Sequence, residues 1–183
     1  MINRTFFFAQ VNQSLFGAKL GAKPRAALGM MLDYWESNYG KGDDRWLAYA
    51  FGTAHHETDR KFGPIREYGL GKGKPYVPYY GRGLVQLTWN YNYEKMGKKL
   101  GIKLLENPDL ALDVKNAIPI LFIGMSEGIF TGKKFADYFS KTKEDWVQAR
   151  RIINGLDKAQ LIADYAQRYY GAITTQRDRK PKT

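Results

Sequence analysis

Apolar residues recur along most of this chain with the spacing of a helix, and one stretch near the middle loses that rhythm. Phe6, Phe7, Val11 and Phe16 stand at helical intervals and predict a short first helix over residues 5–16. Pro24 suits the first turn of a second helix, where its missing N–H is no loss. Leu28, Met31, Leu32 and Trp35 then form one apolar stripe, closed by Asn38-Tyr39-Gly40. Asp43 and Asp44 suit a helix start, where carboxylates accept from free backbone N–H groups and complement the dipole. The helix they open carries Trp46, Leu47, Ala50, Phe51 and Ala54. Glu57 falls near that apolar face at the C-terminal end, where a carboxylate is partly desolvated.

Residues 60–83 break the pattern. Gly63-Pro64, Gly69, Gly71, Gly73, Pro75, Pro78, Gly81 and Gly83 mark turns. Tyr76-Val77, Tyr79-Tyr80 and Leu84-Val85-Gln86-Leu87 are expected as short strands or extended segments. A loop-rich stretch of this length inside a compact domain is more often functional than idle. Helical signals resume over Asn90 to Leu100, with Tyr93, Met96 and Leu100 as the apolar positions. Asn107-Pro108-Asp109 is a turn, and Asp113 to Ile129 is helical, with Pro119 starting a new helix or kinking the old one. Thr142 and Asp145 resemble a capping box before a helix holding Trp146, Val147, Ile152 and Ile153, stopped by Asn154-Gly155. Asp157 to Ala172 gives the last helix, with Leu161, Ile162, Tyr165 and Tyr169 inward. The pattern predicts a mainly α domain with one irregular or β-containing lobe. It divides the chain into one domain over residues 1–171 and a frayed basic tail over 172–183.

Composition changes this picture in a few places. A chain of 183 residues, 44% hydrophobic, suits a single domain with a real core. The absence of cysteine excludes disulfides, thiolate metal sites and a Cys nucleophile. The net charge of +11 draws the chain to polyanions: nucleic acid, anionic lipid or an acidic cell envelope. No apolar run reaches the length of roughly 18 residues that a membrane-crossing helix needs. The run Phe6-Phe7-Phe8-Ala9 is cut off by Gln10, Asn12 and Gln13, too early for a secretory signal.

The candidate chemistry sits around the irregular stretch. Hydrolysis of a glycosidic bond needs one carboxyl group to protonate the leaving oxygen and another to act as nucleophile or to activate water. Glu57 at a helix end and Glu67 in the following loop suit that task. A pair of glutamates at this spacing is also common as surface decoration. His55-His56-Glu57 lacks the later His of a zinc-protease helix, and adjacent imidazoles point to different helix faces, so a metal site is not expected. One histidine, with His56 the candidate, contacts substrate or orients Glu57; the plain alternative is a helix-end residue bonded to a neighbour. Gly81-Arg82-Gly83 lacks the Gly-Lys-Ser/Thr ending of a phosphate loop, and its glycines let backbone approach a sugar closely. Gln86 and Thr88 alternate with Val85 and Leu87, which on an extended strand turns both polar groups to one side. That side is either a cleft or merely the wet face of an edge strand. Trp89, Tyr91 and Tyr93 suit sugar stacking, although aromatics opening a helix are more often core.

Five strings occur here in order: Ala54-His55-His56-Glu57-Thr58, Pro64-Ile65-Arg66-Glu67-Tyr68-Gly69, Tyr80-Gly81-Arg82-Gly83-Leu84-Val85-Gln86-Leu87-Thr88-Trp89, Asn107-Pro108-Asp109-Leu110-Ala111-Leu112 and Arg150-Arg151-Ile152-Ile153-Asn154-Gly155. With Phe130-Thr131-Gly132-Lys133-Lys134 added, the chain resembles the family 19 glycoside hydrolases, chitinase-like enzymes of the lysozyme superfamily, from about Phe6 to Tyr170. It looks most similar to the single-domain phage and prophage endolysins of that family. The resemblance implies a lysozyme-like helical fold whose small lobe lines a cleft. It implies an inverting mechanism with Glu57 as general acid, Glu67 as general base and Thr88 holding the water. Gln86, Asn92 and Asn154 match substrate-contacting positions, and Tyr80 and Arg82 line the same strip. The short gap between the two glutamates suits the endolysin branch, so peptidoglycan glycan strands are the expected partner and chitin the alternative substrate.

On this reading the enzyme needs no cofactor, metal or obligate protein partner and works as a monomer. It waits in the host cytoplasm until a holin-type lesion gives access to the periplasmic wall, and its basic tail touches anionic envelope surfaces. The rival reading is a non-enzymatic, cationic binder of polyanions.

Overall fold

The protein is described by a computed structural model over residues 1–174. Its helices are α1 (Arg4–Phe16), α2 (Ala22–Tyr39), α3 (Asp44–Glu57), α4 (Asn90–Leu100), α5 (Val114–Glu127) and α6 (Ala159–Thr174). Their ends follow local chemistry. Asn3 accepts from the Phe6 N–H, Asp43 from Arg45 and Asp113 from Lys115, each satisfying a first-turn donor of α1, α3 and α5. Gly17, Gly101 and Gly128 close α1, α4 and α5 with φ of 56°, 67° and 73°, a left-handed turn that lets the chain leave without a Cβ clash.

The mainly helical architecture expected from the pattern is what the chain adopts. Two small antiparallel pairs accompany the helices. Strands β1 (Ile65–Arg66) and β2 (Arg82–Gly83) pair Ile65 with Gly83 and Arg66 with Arg82, while β3 (Phe139–Ser140) and β4 (Lys143–Glu144) form a second hairpin.

The core is centred on α3, which packs chiefly against α6. Residues 47–54 of α3 are all buried, and Phe51 and Tyr169 meet at 5.1 Å between ring centroids, with Phe7 of α1 completing the cluster. Gly52 is where the two helices come closest. A Cβ placed there would lie 2.9 Å from both the Cβ and the backbone N of Ala166. Two small residues therefore set the helix separation, and the larger side chains pack on either side.

Several elements differ from expectation. Residues 76–80 form turns rather than strands, and 84–87 curl into a tight loop closed by Arg82 and Leu87. Nine prolines and glycines from 63 to 83 punctuate that segment too densely for a ladder to extend. α5 runs through Pro119 as one helix, since the missing N–H removes a single bond from a segment whose apolar side is anchored in the core. The helix expected after Thr142 is instead the β3–β4 hairpin followed by a 3-10 turn, Gln148–Ile152, which Asp145 opens by accepting from the Gln148 N–H. Leu161 faces outward, 39% exposed, because Ile162 and Tyr169 already define the inward face of α6. α6 continues past residue 171 to Thr174, with Ala172 and Ile173 buried. Of the basic tail, Gln176–Thr183, including Arg177, Arg179, Lys180 and Lys182, lies outside the described residues.

The Gly52 crossing yields a paired prediction. Gly52→Ala should lower stability by about 1–3 kcal/mol, because the added methyl meets backbone that cannot step aside. Gly29→Ala in α2 finds its nearest neighbour, the Phe8 ring, only at 4.0 Å. It should raise stability by about 0.5–1 kcal/mol through helix propensity. Urea unfolding of both variants measures the contrast.

Candidate active site

Thr58 ends α3 and turns the chain away. Its hydroxyl donates to the Ala54 carbonyl at 2.7 Å and accepts from the Phe62 N–H at 2.9 Å. That clamp holds Asp59, Arg60 and Phe62 at positive φ and seats Phe62 in the core. The chain then enters β1 and reaches Glu67. Glu57, the last residue of α3, is thereby left at the edge of a groove of about 360 Å³, and Glu67 lines the same groove.

The two carboxylates are held differently. The Glu57 side chain is 14% exposed, and its Oε1 accepts from Nη1 of the buried Arg150 at 2.7 Å. Arg150 arrives from the 3-10 turn Gln148–Ile152 and is steadied by Nε donating to the Asp157 carbonyl at 3.2 Å. Among the described residues, Glu67 takes its hydrogen bonds from neutral donors. Oε1 accepts from the Tyr76 hydroxyl at 2.7 Å and Oε2 from the Gly81 N–H at 3.0 Å, while the Glu67 N–H donates to the Gly81 carbonyl at 2.7 Å. The hydrogen bond to the Glu67 carboxylate raises the Tyr76 phenol above its ordinary pKa. One carboxylate is thus ion-paired and the other gripped by a phenol and a backbone amide. Two acids given unlike environments are suited to unlike tasks.

Gln86, Thr88, Asn92 and Asn154 line the groove alongside them. The route to this arrangement is not the strand alternation expected. Gln86 has φ of 53°, in the left-handed region, within a loop whose ends exchange Arg82 N–H to Leu87 O and Leu87 N–H to Arg82 O bonds. Gly81 makes room for this loop: a Cβ there would stand 2.7 Å from Gln86 Oε1. The Thr88 hydroxyl donates to the Gln86 carbonyl at 2.7 Å, leaving its lone pairs open, and Asn92 Nδ2 donates to the Thr88 carbonyl at 3.0 Å. Asn92 Oδ1 is buried without a hydrogen-bond partner, an acceptor on a groove-lining residue that awaits a donor.

Three other expected site residues do not line this groove. His56 precedes Glu57 by one residue, a turn of about 100° around the helix, and so faces another way. Arg82 is a clamp beneath the strip. It is 5% exposed, pairs with Asp109 at 2.8 Å, donates to the carbonyls of Pro78 and Tyr80, and bonds the Tyr93 hydroxyl. Its guanidinium also covers the Tyr80 ring at 3.6 Å, which occupies both residues in holding the loop together. Its Nε and Nη1 are thus engaged within the lobe. Tyr93, one of the three aromatics after Thr88, is buried, whereas Trp89 and Tyr91 are part-exposed and line the groove with rings 5.9 Å apart. Sequence reasoning missed Arg150 and Tyr76, and it left the aromatics after Thr88 open between stacking and core. The doublet Arg150-Arg151 offered only a charge without an address.

His55 is a core residue. It is 1% exposed, Nδ1 lies 2.9 Å from the Tyr169 hydroxyl, and Phe16, Phe62 and Tyr165 surround the ring. Burial, reinforced by the charges of Arg60 and His56, lowers its pKa to about 4. Among the described residues no group of three or more His, Cys, Asp or Glu is placed to hold a metal ion. No described helix is long and apolar enough to cross a membrane.

A helical domain with a small two-stranded lobe and two glutamates sharing one groove defines the lysozyme-like class of fold. Comparison with known proteins makes this specific. Residues 37–122 match the family model Glyco_hydro_19, Chitinase class I. The fold is shared with the class IV family GH19 chitinase of Zea mays, at a TM-score of 0.57 and 21% identity over 93% of this chain and 91% of that one. Chitinase C of Streptomyces griseus gives 0.56 and 24% over 93% and 90%. In sequence, the inactive chitinase-like protein 1 of Hevea brasiliensis is 44% identical over 66 residues, and endochitinase CH25 of Brassica napus is 42% identical over 62. Each match takes in 34% of this chain but only 20% and 18% of the relative, so the chain corresponds to about a fifth of the length of those proteins. The matched segment, a little under half of the chain, carries the sequence likeness to glycoside hydrolase family 19, and the solved structures add the shared fold.

The buried His55 makes stability depend on pH in a definite direction. Folded, it stays neutral down to about 4; unfolded, it takes a proton below its ordinary value of 6.5. Stability contributed by neutral His55 is therefore complete above the ordinary value and is lost as pH falls toward 4. The slope reaches about 1.4 kcal/mol per pH unit between those limits. Urea midpoints should fall between pH 7 and 4.5, and His55→Gln should flatten that part of the profile.

Proposed function

We propose that this protein is a glycosidase that cleaves β-1,4-linked amino-sugar chains, with bacterial peptidoglycan as its substrate, by an inverting two-carboxylate reaction. The observation that carries the reading is the pair Glu57 and Glu67 on one groove, one ion-paired to Arg150 and the other fixed by Tyr76 and Gly81. Glu57 supplies the proton to the departing glycosidic oxygen, and Arg150 then stabilises the carboxylate it becomes. Glu67, with its orientation set by two donors, takes a proton from water. Thr88 has its own proton committed to the Gln86 carbonyl, so its oxygen accepts the second hydrogen of that water and leaves the water's lone pair free to attack the anomeric carbon. Bond cleavage on one face and attack from the other invert the configuration, which calls for carboxyl groups about 6.5–9.5 Å apart with the water between. The Trp89–Tyr91 ledge binds sugar through ring stacking, with Asn92 beside it on the groove wall. Asn154 contacts the sugar from the opposite wall. No cofactor enters this scheme.

The biological setting belongs to the same proposal: an endolysin, monomeric, held in the host cytoplasm until release and then acting on the wall in the periplasm. The +11 charge supports it, since it favours an anionic envelope, and so does the short chain between the two glutamates. A second reading, hydrolysis of chitin, is favoured by the names of its relatives, several of which are endochitinases. That one similar protein is named an inactive chitinase-like protein makes the two carboxylates, not overall likeness, the matter to test.

Glu57→Gln and Glu67→Gln should each fold normally and lose lytic activity by about 10²–10⁴-fold, the range of general acid–base catalysis. Thr88→Ala should lose less. Wild-type-like lysis by Glu57→Gln removes the catalytic reading and leaves a cationic binding protein. Mass spectrometry of digested peptidoglycan and of chitin oligomers identifies the substrate and the bond cut. NMR of the fresh product should show the α-anomer; a β-anomer rules out inversion.

A further inference from the structure

On another wall of the molecule lies a second, larger groove, of about 960 Å³, that the hydrolytic reading leaves unused. It is floored by Phe16, Ala27 and Phe62, with Pro64, Ile65 and the exposed Met30 along its sides. Its volume is at the upper end of ligand pockets, about 300–1,000 Å³. None of the groove-lining carboxylates or amides of the first site belongs to it. One wall is the segment 59–65, the link between the two site glutamates, held in shape by the Thr58 clamp and by the left-handed residues Asp59, Arg60 and Phe62.

The rim is cationic. Lys19, Lys23, Arg60 and Lys61 all border the apolar floor, and all four are exposed. Asp59 is the sole acid on that rim, and it lies 3.9 Å from Lys61. Among the described residues no carboxylate forms a salt bridge with Lys19, Lys23 or Arg60. An apolar trough ringed by unneutralised cations fits a molecule with an acyl chain at one end and a negative charge at the other. The same charge argues against the chain's own end as occupant, since residues 175–183 carry Arg177, Arg179, Lys180 and Lys182 against Asp178 alone. It also disfavours a second copy seated rim to rim.

We propose that this groove is a binding site for an anionic phospholipid, with an acyl chain over Phe16, Phe62 and Met30 and the phosphate among Lys19, Lys23 and Arg60. The site is separate from the hydrolytic groove and does not depend on the glycosidase reading. It gives this basic protein a specific hold on a membrane surface, beyond the diffuse attraction of its net charge.

The test must separate the groove from that diffuse attraction. Met30→Glu places a carboxylate in the groove at a position already 37% exposed, and Leu161→Glu makes the same chemical change on α6, away from it, at 39% exposed. Both variants shift net charge equally. Binding of the full chain to phosphatidylglycerol vesicles in 150 mM salt is measured by co-sedimentation, with phosphatidylcholine vesicles as the neutral control. Soluble dihexanoyl-phosphatidylglycerol, below its micelle concentration, is titrated by NMR as the single-molecule probe. Met30→Glu should weaken vesicle binding at least tenfold and abolish shifts at groove residues, while Leu161→Glu changes binding less than twofold. Equal losses in the two variants, or unchanged binding by Met30→Glu, overturn the proposal. So does dihexanoyl-phosphatidylglycerol that shifts no residue around Phe62, or a groove that responds only on removal of residues 175–183 or on dimerisation. Thermal unfolding of both variants confirms that each compares a folded protein, and hydrolysis rates should stay at the wild-type level because neither residue touches the first groove.

Discussion

The arrangement depends on the close crossing of α3 and α6 at Gly52 and Ala166. With Ala166 Cβ and backbone only 2.9 Å from where a Gly52 Cβ would stand, α3 cannot shift outward or rotate without losing the packing of Phe51, Tyr169 and Phe7 around it. The last turn of α3 carries His55 into the core and brings Glu57 to the surface, so the crossing also sets where a carboxylate meets solvent. A neutral imidazole behind that carboxylate and a guanidinium beside it are consequences of the same placement. Packing energy is spread over many side chains here, but its geometry is dictated by two small ones.

The loop lobe answers the helices with polar bonding in place of apolar packing. Arg82 gathers carbonyls from Pro78 and Tyr80, the Tyr93 hydroxyl and the Asp109 carboxylate into one cluster. A buried cation is tolerated when a counter-charge and acceptors surround it, and Arg82 has Asp109 on Nε and three acceptors on Nη1. The cluster fixes Gly81, and Gly81 fixes Glu67 from both its N–H and its carbonyl. The groove that both glutamates line is therefore the seam between a packed half, which delivers Glu57, and a hydrogen-bonded half, which delivers Glu67. Neither carboxylate bonds to the other, so their separation is held by the two halves of the scaffold.

Much of the site could be read from residue strings, and the errors were instructive. Glu57, Glu67, Gln86, Thr88, Asn92 and Asn154 share one groove as the strings suggested. Gln86 and Thr88 reach it by a left-handed turn where strand alternation was expected, because glycine spacing within 81–83 permits a loop that a period-two pattern cannot reveal. Arg82, read as a sugar contact, is consumed by the lobe's own carbonyls. Tyr80 lies beneath that guanidinium. A charged residue in a functional strip looks the same in sequence whether it faces the ligand or holds the strip, and only its partners distinguish the two.

The sequence by itself determined the six helices α1–α6, since apolar period, capping residues and helix-ending glycines are local and act within a few residues of each other. It also placed a carboxylate at the end of α3, because helix length and phase follow from that same period. Tertiary structure alone decided that Arg150, 93 residues away, would lie beside Glu57, and that Tyr76 would turn back onto Glu67. It also decided that His55 rather than His56 would be buried, because Tyr165 and Tyr169 of α6 close over the His55 ring. Such contacts join segments with no common local pattern, and their energy exists only once the chain has closed the distance between them.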